Sequence, residues 1–198
     1  CSGFTHALDH AWLRVEKYGG YVLVIGVDAL TRITDYTELN GNLFGDGCGL
    51  VILGHGEDRG IIATEFASDA AGADYIFQDK EGYLRMPKGP LVFSRASKGM
   101  IDIANALLEK AAITPDALNK IIPHQANGNI IDRVEEKIDP QHTGKIYRNL
   151  DRYGNMSAAT IPTALAEAIE RGEIRKNDLV MLLDFGSGLT MGGAIIKI

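Results

Sequence analysis

"IIPHQANGNI", residues 121–130, carries a histidine from the end of an apolar run into a polar cluster of His124, Gln125, Asn127 and Asn129. Lys120 to Pro123 reads as a short strand. A helix follows from about 127 to 138, with Ile130, Ile131, Val134 and Ile138 at helical spacing. Layered α/β folds place ligands and catalytic groups where a strand ends facing the start of a helix. His124 stands at such a point, although a lone histidine more often packs or caps than reacts.

Outward from this stretch, strands and helices alternate, which predicts an α/β layered protein. Phe4, Ala7, Leu8, Ala11, Trp12 and Val15 mark a helix that Gly19-Gly20 stops. "YVLVIGVDAL" reads as a continuous apolar strand buried on both faces. "GDGCGLVILG" reads as a glycine turn feeding a second buried strand, and "GIIATEFAS" as a third. Residues 68 to 90 read as a loop with one short strand. A long helix over about 91 to 112 buries Met100, Ile103, Ala104, Leu107, Leu108 and Ala111. "KIYRNL" is expected to be a strand, Ser157 to Arg171 a helix ended by Gly172, and "DLVMLLDF" and "GGAIIKI" an antiparallel pair. A joint between two structural halves falls near Glu57-Asp58-Arg59-Gly60.

Composition narrows the function classes. The 198 residues can build one sizeable core or two small ones. A net charge of −6 without a long basic stripe argues against nucleic acid as a partner. No apolar run is long enough to span a membrane. Cys1 and Cys48 give neither a disulfide framework nor zinc spacing and suit a reducing cytoplasm. His6 and His10 lie four apart on one helix with no third ligand, so a solvated face is expected there and no metal. Cys48 reads as a small buried residue.

Three stretches besides residues 121–130 can carry chemistry. Cys1 precedes an amphipathic helix whose unpaired N–H groups would favour its thiolate. "DRYGNMSAAT", residues 151–160, sets Asn155 in a glycine turn before a helix, where asparagine is also a common turn residue. "DFGSGLTMGG", residues 184–193, is a tight turn whose glycines let backbone N–H groups approach a ligand, or simply close a hairpin.

Together and in order, Cys1-Ser2-Gly3-Phe4, Phe44-Gly45-Asp46-Gly47, Pro123-His124-Gln125-Ala126-Asn127, Tyr153-Gly154-Asn155-Met156-Ser157-Ala158-Ala159 and Phe185-Gly186-Ser187-Gly188-Leu189-Thr190 resemble β-ketoacyl-acyl carrier protein synthase III. The resemblance runs over the whole chain. It implies the thiolase-like αβαβα layered fold, incomplete here. Residues 1–58 would be the last part of the first half and 59–198 the second half, with family sequence preceding Cys1. It implies a decarboxylative Claisen condensation of an acyl thioester with a malonyl thioester, of the kind that initiates fatty acid synthesis. Cys1 matches the acyl-accepting nucleophile, and His124 and Asn155 the pair that promotes decarboxylation. The N–H groups of Cys1 and Ser187 match the oxyanion hole. Phe93 and Asn127 match residues of the pantetheine tunnel. Acyl-CoA and malonyl-acyl carrier protein are the implied substrates, with no metal or other cofactor, in a cytoplasmic homodimer. Glu38, Ser94, Asn129 and Glu136 stand where the family usually carries cations toward coenzyme A or the carrier, which leaves open a related synthase of secondary metabolism. Two further classes stay open: an amidohydrolase with Cys1 as N-terminal nucleophile, and an inactive thiolase-like subunit that pairs with an active one.

Overall fold

The computed structural model describes residues 1–56 and 60–198. Four strands form the central mixed sheet: β3 (Gly60–Ser68), β6 (Lys120–Pro123), β7 (Leu179–Gly186) and β8 (Thr190–Lys197), in the order β3-β8-β7-β6. The pairings β3–β8 and β7–β8 are antiparallel, and β6–β7 is parallel. A separate antiparallel pair joins β1 (Tyr21–Ala29) to β2 (Asp46–Gly54), with Val24 opposite Val51.

Helices fill the spaces between and beyond these sheets. On one side of the central sheet lie α2 (Gly89–Ala111) and α3 (Gly128–Ile138). They enclose a core that includes Met100, Leu107, Ile121, Ile131, Val134, Met181 and Leu183. On the other side lie α1 (Gly3–Tyr18) and α5 (Thr160–Glu170), between the central sheet and the β1–β2 pair. Phe4, Leu8, Val24, Ile122, Ile161, Leu165, Leu182 and Ala194 make that second core. The alternation along β7 and β8 explains the division. Leu182 and Ala194 point to one layer and Met181, Leu183 and Ile195 to the other, because successive side chains on a strand face opposite ways.

Most of the expected elements are present, and the differences have local causes. β1 and β2 are buried on one face only: Leu23, Ile25, Val27, Leu50 and Ile52 are exposed, since no layer covers their outer side among the described residues. Cys48 stands on that outer face and is exposed, contrary to its expected burial. "GDGCGLVILG" is strand from Asp46 onward, with no turn within it. Residues 68 to 90 hold two short strands, β4 (Phe77–Gln78) and β5 (Leu84–Arg85), where one was expected.

"KIYRNL" makes a single bridge, Ile121 to Ile146, and no strand. The buried Gln125 side chain replaces the ladder: its Nε2 donates to Tyr147 O at 3.2 Å and its Oε1 accepts from Asn149 N at 3.0 Å. The segment 157–171 opens with a 3-10 turn, Ser157–Ala159, before α5. Pro162 is tolerated in the first turn of α5, where no intrahelical partner for its nitrogen is needed. The joint expected near 57–60 lies largely outside the described residues.

Candidate active site

Cys1 and Ser2 lead directly into α1, so the unpaired N–H groups of that helix face the Cys1 region. Two contacts fix this corner against the β7–β8 turn. Ser2 Oγ lies 2.6 Å from Thr190 Oγ1. Gly186 lies so close that a Cβ there would sit 3.0 Å from both Cys1 N and Ser2 N. Any side chain at 186 would therefore push the Cys1–Ser2 backbone away from the turn by a few tenths of an ångström. Beneath α1, Asp184 is fully buried and bonded to the Thr5 hydroxyl, with Oδ1 unpartnered. The Thr5 hydroxyl donates to Asp184 Oδ2, its oxygen also lies 3.3 Å from Ser2 O, and burial pushes the Asp184 carboxyl up to about 8.

His124 sits one residue past β6, and its N–H donates to Leu183 O at 2.7 Å, continuing the parallel ladder. The ring is 1% exposed. Its Nδ1 lies 2.6 Å from Thr160 Oγ1, and the Phe185 ring meets it edge-on at 5.6 Å between centroids. Burial pushes the imidazole down to about 3, so the ring is neutral at physiological pH. A neutral imidazole can donate one hydrogen bond without presenting a charge.

Asn155 is held by backbone on both sides: Asn155 N donates to Leu43 O at 2.8 Å, and Gly45 N donates to Asn155 O at 3.0 Å. Its side-chain Oδ1 accepts from Ser157 N at 2.9 Å. That bond orients the amide, and the Nδ2 protons meet no acceptor among the described residues. Ser157 takes a left-handed φ of 52° to make this turn. A glycine on β1 and another just before β2 admit the loop. A Cβ on Gly26 would lie 2.2 Å from Ala158 O, and one on Gly45 would lie 2.1 Å from Tyr153 O.

One cavity of 510 Å³ is lined by Cys1, His124, Asn155 and Ser187 together. Phe93 and Asn127 line it as well, so all six sequence-expected site residues share one space. Asn127 doubles as the cap of α3, its Oδ1 accepting from Asn129 N at 2.9 Å. Leu30, Leu43, Phe44, Ile76, Leu84 and Met86 supply apolar walls, and no Lys, Arg, Asp or Glu among the described residues lines the cavity. Such a space suits a neutral, largely apolar ligand rather than an ionic one. The backbone N–H of Ser187 belongs to the turn beside Cys1, and the Ser187 hydroxyl donates to Ile76 O at 2.5 Å. A larger groove of 860 Å³, at residues such as Val51, Gly54 and Ile198, contains none of these groups. No group of three or more metal-binding side chains occurs among the described residues.

Gln125 belongs to the fold rather than the site. Glu38 pairs with Arg85 at 3.2 Å, and Asp35 and Asp79 reach the same guanidinium at 2.6 Å. Sequence reasoning passed over Thr160, Thr5 and Asp184. Thr160 could have been flagged as the first polar residue of a helix that follows the Asn155 turn. Nothing in the sequence marks Asp184 as buried.

The family described as 3-Oxoacyl-[acyl-carrier-protein (ACP)] synthase III matches residues 1–70, and its C-terminal counterpart matches residues 108–198. The chain is 38% identical over 202 residues to Beta-ketoacyl-[acyl-carrier-protein] synthase III of Aquifex aeolicus, and 40% identical to that of Staphylococcus aureus strain Newman. Each match takes in 100% of this chain and 64% of the relative. The chain thus spans a little under two thirds of the curated relatives it matches. The crystal structure of 3-oxoacyl-[acyl-carrier-protein] synthase III from Aquifex aeolicus superposes with a TM-score of 0.95 at 37% identity, over all of this chain and 65% of that one.

Proposed function

The chain belongs to the 3-oxoacyl-[acyl-carrier-protein] synthase III family, and from that premise we propose that the whole protein joins an acyl group to a malonyl unit with loss of carbon dioxide. The observation that carries this reading is the meeting of Cys1, His124 and Asn155 around one uncharged cavity.

The course has two halves. Cys1 sulfur attacks an acyl thioester, forms a new thioester and releases the carrier thiol. A malonyl thioester then enters. Its bond to the carboxylate breaks, carbon dioxide leaves, and the electron pair becomes a thioester enolate. His124 Nε2–H and Asn155 Nδ2–H donate to the enolate oxygen, and neutral fixed donors in a dry site stabilise such developing charge strongly. The enolate carbon attacks the acyl carbon on Cys1, and the new carbon–carbon bond forms. The N–H groups of Cys1 and Ser187 hold the tetrahedral oxyanion until the Cys1 thiolate leaves. Acyl-CoA as donor, malonyl-acyl carrier protein as acceptor, a homodimer and a cytoplasmic setting belong to the same reading. The free thiols of Cys1 and Cys48 are in keeping with the last.

The groove between α2 and α3 beside the cavity favours a second carrier as an alternative. There Arg133 pairs with Glu136 at 3.1 Å and Lys98 pairs with Asp102, so these cations are partly neutralised for an acidic partner. Comparing malonyl-CoA with malonyl-acyl carrier protein as acceptor separates the two.

Incubation of the full-length gene product with radiolabelled acyl-CoAs tests the main proposal. Label should be held on Cys1 and vanish in Cys1→Ala. His124→Ala should still take label but lose condensation by about 10²-fold or more. Equal loss of both steps in His124→Ala would contradict the assigned role.

A further inference from the structure

The His124 ring has one hydrogen-bonding partner among the described residues, Thr160 Oγ1, at 2.6 Å from Nδ1. The same hydroxyl oxygen lies 3.0 Å from the carbonyl oxygen of Ser157. Thr160 has a single hydroxyl proton, so its direction decides the state of the ring. Pointed at Ser157 O, it requires Nδ1 to be the donor and leaves Nε2 a bare lone pair. Pointed at Nδ1, it requires the ring proton to sit on Nε2.

Of the two contacts that compete for this proton, the one to the ring is the closer: Nδ1 at 2.6 Å against the Ser157 carbonyl oxygen at 3.0 Å. Thr160 and His124 are each 1% exposed, so bulk solvent does not compete for either group. Ser157, the other acceptor, is itself held in its left-handed turn by Asn155 Oδ1. The neighbours of both enolate donors thus meet at one hydroxyl.

We propose that Thr160 is a positioning residue that fixes the tautomer of His124: its hydroxyl donates to Nδ1 and keeps the ring proton on Nε2, the nitrogen that must donate to the enolate oxygen. This role rests on the condensation reading above. Without the hydroxyl, nothing biases the ring, and an Nε2 lone pair would repel the oxygen it should stabilise. No bond is made or broken by Thr160 itself; it acts through His124.

The test is nitrogen-15 NMR of the His124 ring in the full-length protein, assigned by loss of its signals in His124→Gln. Wild type and Thr160→Ser should both show Nε2 protonated and Nδ1 bare. Thr160→Val should show a mixture or the Nδ1–H form. In parallel, release of carbon dioxide from malonyl-CoA should fall about 10²-fold in Thr160→Val, the scale of losing one oriented donor, while acyl transfer from acetyl-CoA to Cys1 stays within about threefold. Thr160→Ser should recover most of the loss. A wild-type ring protonated on Nδ1 would overturn the proposal, as would a Thr160→Val protein that keeps the Nε2–H form and full decarboxylation. If Thr160→Val does not fold, the wild-type and Thr160→Ser spectra decide alone. A wild type that neither takes acyl groups nor releases carbon dioxide would sink the proposed function, while the ring spectrum would still judge the tautomer.

Discussion

His124 and Asp184 are both buried, and burial moves them in opposite directions on the pH scale. Each opposition becomes a stability slope. The unfolded histidine binds a proton below about 6.5 while the folded ring stays neutral down to about 3. Stability from this residue is thus present above the unfolded value and is lost as pH falls through that window. In His124→Gln the drop in melting temperature between pH 6.5 and pH 4 should be smaller than in the parent. Asp184 works the other way: the unfolded carboxyl gives up its proton near 3.8, whereas the folded one keeps it up to about 8. Here stability falls as pH rises, so Asp184→Asn should be more heat-stable than the parent, by a margin that widens from pH 4 to pH 8. A margin independent of pH would mean that Asp184 is ionised in the folded state. Cys1, His124 and Asn155 were legible as chemistry-bearing residues because each ends or begins an element with a recognisable pattern. Asp184 was not, since one carboxylate in "MLLDFG" looks the same whether it is buried or exposed.

At the level of elements, the site depends on how closely the 153–159 loop approaches β1 and β2. Glycines allow it, and the allowance can be probed. Gly26→Ala places a Cβ against the Ala158 carbonyl, a backbone group that cannot swing aside. The expected cost is about 1–3 kcal/mol of stability, with loss of condensation because Asn155 is displaced, measured by denaturant unfolding and carbon dioxide release. Gly3→Ala is the control: its Cβ would meet only Ala158 Cβ at 4.0 Å, and alanine is the better helix former, so stability should hold or rise slightly. The α1, α2, α3 and α5 helices were legible from apolar spacing, and β7–β8 from paired apolar runs around a glycine turn. "KIYRNL" was misread because its alternation resembles a strand, whereas the buried Gln125 amide takes up the bonds a ladder would have used.

For the whole molecule, the outer face of β1–β2 is the outstanding feature. Leu23, Ile25, Val27, Leu50 and Ile52 present an apolar sheet surface, 68% exposed at Ile52. Contiguous apolar surface of this kind binds other surfaces. Residues 1–198 made alone should bind a hydrophobic dye and self-associate in light scattering, and Ile25→Lys with Ile52→Lys should suppress both without loss of helical circular dichroism. A monodisperse, dye-silent parent would show that this face needs no cover. The sequence reading took β1 and β2 as buried on both sides because a continuous apolar run looks alike whether one layer or two lie against it.

The sequence by itself determined the alternation of helices and strands, the family and the identity of the candidate site residues, because these are carried by spacing, side-chain chemistry and motif order along the chain. Only the tertiary structure decided that a sulfur, an imidazole and a carboxamide face one uncharged cavity, that Thr160 stands behind the ring, and that a carboxyl is buried beneath the cysteine's helix. Those are distances between residues as much as 179 positions apart in a chain of 198. They follow from the packing of layers, which no local pattern of residues encodes.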